Sequence, residues 1–131
     1  TQTQQLVTNQ LKCDYPDRSI QSCESYESFT ECELVIESVV ETAAVKLQVL
    51  QKIESAVDEA TVIASNTSAI PIETLANHLQ RPENFCCIHF CHPELMSLVE
   101  VVCGPQSSEQ TIATAVKFVK SLRKTSSFKL P

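Results

Sequence analysis

Two kinds of apolar segment alternate along the chain. The runs Glu33-Leu34-Val35-Ile36-Glu37-Ser38-Val39-Val40, Thr61-Val62-Ile63-Ala64 and Phe85 to Phe90 are short, β-branched or aromatic, and lack a polar face. Strands buried on both sides of a parallel sheet read this way. Leu98 to Cys103 is a fourth strand candidate and Ser126 to Leu130 a last one. Between them the period changes. Val45, Val49, Ile53 and Val57, with Leu50 beside them, predict a helix over 45–57. Pro71 suits the first turn of a short helix running to about Leu79. Ser107 with Gln110 fits a capping box, and Ile112, Ala115, Val116, Val119 and Leu122 form the stripe of a last helix. Glu27 to Glu31 reads as a brief helical turn and Ser19 to Cys23 as a short strand. Residues 1–12 are polar and Gln-rich, with Leu6, Val7 and Leu11 at helical spacing, and read as the tail of a helix.

Strands alternating with helices predict an α/β domain with a parallel sheet and flanking helices. Such sheets bind ligands beyond the carboxyl ends of their strands. Three polar clusters sit where strands end: Glu41 after the first long strand, Ser65–Ser68 after the second and His89–His92 after the third. Three such clusters on one edge describe a site, where one alone would mean little.

Composition narrows the chemistry. Hydrophobic residues are 43% and charged residues 20% of 131, which fits one globular domain with its own core. Gly104 is the single glycine, so neither a P-loop nor a dinucleotide fingerprint can occur within this chain. The net charge of −6 argues against nucleic-acid binding. The basic residues Lys117, Lys120, Arg123, Lys124 and Lys129 read as a solvated helix face. No apolar run approaches the ~20 residues of a membrane span, and no signal-like segment opens the chain, so no membrane partner is expected. The seven cysteines are an odd number and sit in apolar runs. They read as reduced, buried thiols in a cytoplasmic or other reducing compartment.

Cys86-Cys87-Ile88-His89-Phe90-Cys91-His92 raises a metal reading. Side chains alternate faces along a strand, so these ligands do not converge easily, and their spacing fits no familiar zinc motif. No metal is expected. Glu41 and Lys46 read equally as a surface ion pair at a helix start or as part of a cofactor site. Ser65–Ser68 reads as a helix cap, a substrate contact, or both. His89 and Glu100, taken singly, fit a structural role.

Taken in order, Leu34 to Glu41, Lys46, Ala64-Ser65-Asn66-Thr67-Ser68, Ile88-His89-Phe90-Cys91-His92-Pro93 and Met96 to Val102 resemble the NAD-binding domain of the 3-hydroxyacyl-CoA dehydrogenases. The likeness runs from about Ile20 to Leu130. It implies a partial Rossmann-type sheet and, in fatty acid metabolism, NAD-dependent oxidation of a 3-hydroxyacyl thioester carried on coenzyme A or a carrier protein. By the same resemblance, His89 matches the catalytic base and Glu100 the carboxylate that pairs with it. Ser68 matches a serine bonded to the substrate oxygen. Glu41, Lys46 and Asn66 match the nicotinamide end. His92 stands on the substrate side, where the family pattern His-Phe-Phe-Asn-Pro has asparagine, and Cys91 also departs from that pattern. The segment from His89 to Glu100 is one residue shorter than usual.

The resemblance further implies that residues 1–131 are the second half of the family's NAD-binding domain, with 1–18 a remnant helix and loop. The first Gly-rich strand–turn–helix is not in the chain, and alone the chain is expected to be inactive. A sheet without its first strands exposes an edge for self-association or for another chain. The alternative reading is a non-catalytic interaction or scaffold domain that has lost nucleotide binding.

Overall fold

The computed structural model describes residues 21–91 and 98–122, and the backbone of 125–129. The expectations for residues 1–20, including the helix tail and the first half of the Ser19 to Cys23 strand, lie outside these, as does His92. Gln21 to Cys23 take no regular structure.

Five strands form one sheet in the order β1 (Leu34–Glu37), β2 (Val62–Ser65), β3 (Phe85–Phe90), β4 (Leu98–Cys103), β5 (Thr125–Lys129). The expected parallel sheet holds for β1 to β3. β4 then runs antiparallel to β3, and β5 runs parallel to β4. Both faces are covered. Helices α1 (Ala43–Ala56) and α2 (Ile72–Ala76) close one side over Val35, Ile63, Phe85 and Cys87. Helix α3 (Glu109–Ser121) closes the other over Val62, Ala64, Cys86, Ile88, Val99, Val101 and Cys103. β2 and the first four residues of β3 are therefore buried on both sides, the reason their sequences carry no alternation. In β4 burial alternates, with Val99, Val101 and Cys103 inside and Leu98, Glu100 and Val102 partly open.

Helix α1 keeps most of its predicted face, with Leu50, Ile53 and Val57 buried and Val49 partly so. Val45 is 37% exposed, and the buried positions are Lys46, Leu50, Ile53 and Glu54. The stripe is widened by Lys46 and Glu54, two charged side chains that point inward with their partners. Burying Leu50 and Ile53 stabilises the docking by about 1.5–3 kcal/mol each. Glu54 anchors the loop before β3, accepting from the Arg81 and Gln80 backbone N–H groups at 2.8 and 3.0 Å.

The cap of α3 is Ser108, whose Oγ accepts from Thr111 N at 3.2 Å, and not Ser107 with Gln110. Ser107 instead ties the turn after β4 to β3: its Oγ accepts from Gly104 N at 3.0 Å and donates to Phe85 O at 2.7 Å. The predicted stripe divides, with Ala115 and Val119 fully buried and Ile112, Val116 and Leu122 partly so. The turn expected over Glu27 to Glu31 is a 3-10 helix over Tyr26–Phe29, and Lys117 and Lys120 are exposed.

Candidate functional site

The parallel strands β1 to β3 carry their polar ends to one edge of the sheet, and β4 starts there because it runs the other way. His89 and Glu100 are direct cross-strand partners in the β3–β4 ladder. Such pairs hold their Cβ atoms about 4.5–5.5 Å apart, so a hydrogen bond between them needs no special backbone. His89 Nδ1 stands 3.0 Å from Glu100 Oε2, with side-chain exposures of 21% and 30%. Cys91, the residue just after β3, places Sγ 3.5 Å from His89 Nδ1 and 3.8 Å from Glu100 Oε2. The alternation reading weighed residues 86 to 92 alone, and β4 is what supplies the third group.

Ser68 is brought to the same place. Thr67, Ser68, Ile72, Cys87, His89 and Glu100 are among the residues lining one cavity of about 350 Å³. The floor of that cavity is inert. Burial, with smaller contributions from the Glu100 and Glu41 charges, pushes the Cys87 thiol up to about 12, and its Sγ donates to Thr67 O at 3.5 Å.

The Glu41, Lys46 and Asn66 cluster has a different character. Lys46 is 1% exposed, so the surface ion pair weighed above is not at the surface. Its ammonium donates to Glu37 Oε1 at 2.8 Å and Val39 O at 3.2 Å, and lies 3.4 Å from Glu41 Oε2. Glu37 also accepts from Val39 N and Ser65 Oγ, both at 2.6 Å. Glu41 Oε1 accepts from the Thr67 hydroxyl and from the Ser68 and Ala69 N–H groups at 3.1 and 3.2 Å. The Thr67 hydrogen bond is the main cause of a Glu41 pKa lowered to about 2; burial opposes it, and the two N–H groups and Lys46 add to it. Asn66 joins two strand ends, donating to Ser38 Oγ at 3.0 Å and accepting from Phe90 N at 3.0 Å.

Glu37 escaped the sequence reading as a site residue, and Thr67 was read only as part of the Ser65–Ser68 cluster. The available signal was a carboxylate inside an otherwise apolar strand, since a buried charge requires a partner.

The chain matches the family model for the 3-hydroxyacyl-CoA dehydrogenase NAD-binding domain over residues 1–127. The chain belongs to the 3-hydroxyacyl-CoA dehydrogenase family. Within this oxidoreductase family the matched domain is the one that binds NAD. Over 101 residues, 76% of the chain, it is 48% identical to the fatty acid oxidation complex subunit alpha of Pseudomonas paraeruginosa, and equally to that of Pseudomonas aeruginosa. The match spans only 14% of the length of those relatives. The crystal structure of (S)-3-hydroxybutyryl-CoA dehydrogenase PaaH1 from Ralstonia eutropha superposes with a TM-score of 0.85 at 29% identity, covering 98% of this chain and 49% of that one. M. tuberculosis FadB2 gives 0.76 at 32% identity, over 81% of this chain and 38% of its own. The sheet is Rossmann-type, as in these dehydrogenases.

Proposed function

We propose that this chain carries the proton-transfer site for oxidation of a 3-hydroxyacyl thioester to its 3-ketoacyl thioester. The observation that carries the reading is the His89–Glu100 pair, 3.0 Å apart at the wall of the Ser68 cavity. Ionised Glu100 is an acceptor, so it selects the imidazole tautomer with the proton on Nδ1. Nε2 is then left with a lone pair. In the forward direction Nε2 takes the proton of the 3-hydroxyl, and Glu100 stabilises the imidazolium that forms. Ser68 is assigned to the substrate oxygen, and His92 to the neighbouring acyl region. NAD, when bound, supplies the acceptor for the hydride leaving C3.

The polar atoms of Glu41, Lys46 and Asn66 are engaged within the protein, and this fits the nicotinamide end in a particular way. The three residues hold the shape of the strand ends: Asn66 ties Ser38 to Phe90, and Glu41 with Lys46 fixes the loop 67–69. The turns that grip a pyrophosphate need several glycines, and this chain has one. The 131-residue chain alone is expected to bind NAD weakly; micromolar affinity by calorimetry would overturn that. In the active protein carrying this chain, His89→Gln should lower kcat by about 10²–10⁴ with NAD affinity unchanged. Wild-type turnover in that variant removes His89 from the mechanism.

Two further points belong to the same reading. Among the described residues β1 pairs on one side only, and we assign its open edge to a strand from another chain or segment, since open edges recruit strands. Of the described cysteines, Cys86, Cys87 and Cys103 are buried as expected, whereas Cys23 is exposed and Cys32 and Cys91 are partly so; we assign the chain to a reducing, cytoplasmic-type compartment.

A further inference from the structure

Three ligand atoms of different chemistry converge on one point beside the proposed base. His89 Nδ1, Cys91 Sγ and Glu100 Oε2 are separated by 3.0, 3.5 and 3.8 Å. In a tetrahedral zinc site, with bonds of about 2.0–2.3 Å, nitrogen and oxygen ligands stand about 3.3 Å apart and sulfur stands about 3.6 Å from either. All three separations fall within about 0.4 Å of that arrangement, a difference that small side-chain rotations close. The set is one imidazole, one thiol and one carboxylate, all partly exposed, which leaves the fourth position to water. Strand geometry builds it. His89 and Glu100 are cross-strand partners, and Cys91, the residue just after β3, reaches both of them.

We propose that His89, Cys91 and Glu100 form a binding site for a zinc-class divalent cation. On binding, a metal–sulfur bond forms and the thiol proton leaves to solvent. Occupancy of Nδ1 displaces the proton that Glu100 otherwise holds there, so the neutral ring carries its proton on Nε2. The nitrogen assigned to accept the substrate proton can no longer do so. Zinc therefore inhibits, a consequence that rests on the functional reading, whereas the binding site does not.

The test uses the full 131-residue chain with Co²⁺ as spectroscopic probe and Zn²⁺ as competitor. The expected result is one ion per chain with a cobalt–thiolate charge-transfer band, displaced by Zn²⁺. The band should persist in the Cys13→Ser, Cys23→Ser, Cys32→Ser triple variant and vanish in Cys91→Ser. His89→Gln and Glu100→Gln should each weaken binding at least about tenfold with unchanged circular dichroism. Zn²⁺ should also shield Cys91, and not Cys23, from iodoacetamide. No thiolate band, or one that survives Cys91→Ser, overturns the site. In the active protein, Zn²⁺ should inhibit reversibly, and Cys91→Ser, relative to its own basal rate, should need at least about tenfold more. Turnover indifferent to bound zinc overturns the inhibition alone. Absence of turnover without zinc, with the cobalt site intact, overturns the functional reading and leaves the site standing.

Discussion

The ends of β1 and β2 and the facing ends of β3 and β4 both collect charged side chains at hydrogen-bond distance, yet they are opposite constructions. Around Lys46 each oxygen of Glu37 and Glu41 has a partner, and Lys46 and Glu37 are sealed from water, with side-chain exposures of 1% and 0%. The network is closed in its hydrogen bonds, although the Glu41 side chain is 38% exposed. Around His89 the pair is a fifth to a third exposed and opens on a cavity. A closed network holds a loop in place, whereas an open one can exchange a proton. Both sets of residues were equal candidates by sequence, and what separates them is a sealed Lys46–Glu37 pair on one side and a pair that lines a cavity on the other.

Lys46→Met should be the most damaging change, because it leaves the buried Glu37 carboxyl without its cation. A loss of about 3–5 kcal/mol by urea unfolding is expected, and a loss under about 1 kcal/mol would dissolve the contrast. His89→Gln should do the reverse. Its stability should change by under about 1 kcal/mol while turnover falls as given above, and an equal loss of stability would make His89 another structural group. The third case compares two thiols, Cys87 within β3 and Cys91 just after it. Burial pushes the Cys87 thiol up to about 12, so iodoacetamide should label partly exposed Cys91 at least about tenfold faster, by mass spectrometry of the native chain. Comparable labelling would mean the cavity floor is open.

Glu41 gives the smallest effect. Its carboxyl titrates lower in the folded chain, at about 2 against an ordinary 4.5. The unfolded chain therefore binds the proton first as pH falls. The stabilisation is present above about pH 4.5 and is lost between there and about pH 2. Solvent screens this group, so Glu41→Gln should cost less than about 1 kcal/mol near neutrality. It should also flatten the acid limb of stability against pH. An unchanged acid limb would show that Glu41 does not hold the 67–69 loop.

The elements were legible where one physical signal dominated. β3 was read at its true limits, and α1, β2 and β5 within about two residues, because runs and periods of apolar residues report burial directly. Reading failed where polar groups took over. The valines of α1 pointed to a stripe that omits Lys46 and Glu54, since a buried charge carries no periodicity of its own. The cap of α3 slipped from Ser108 to Ser107 because adjacent serines are equivalent until the backbone turns. The candidate site came into view through the order of its motifs, and the Cys91–Glu100 contact stayed hidden because it joins the residue after β3 to β4.

Apolar periodicity and motif order thus gave the α/β class and the family, and pointed to the strand ends as the candidate site. Folding alone decided which charges are sealed and which are open, and that β4 runs back beside β3 with Glu100 opposite His89. Strand direction and cross-strand register arise from contacts between segments far apart in the chain. No local pattern of side chains encodes them.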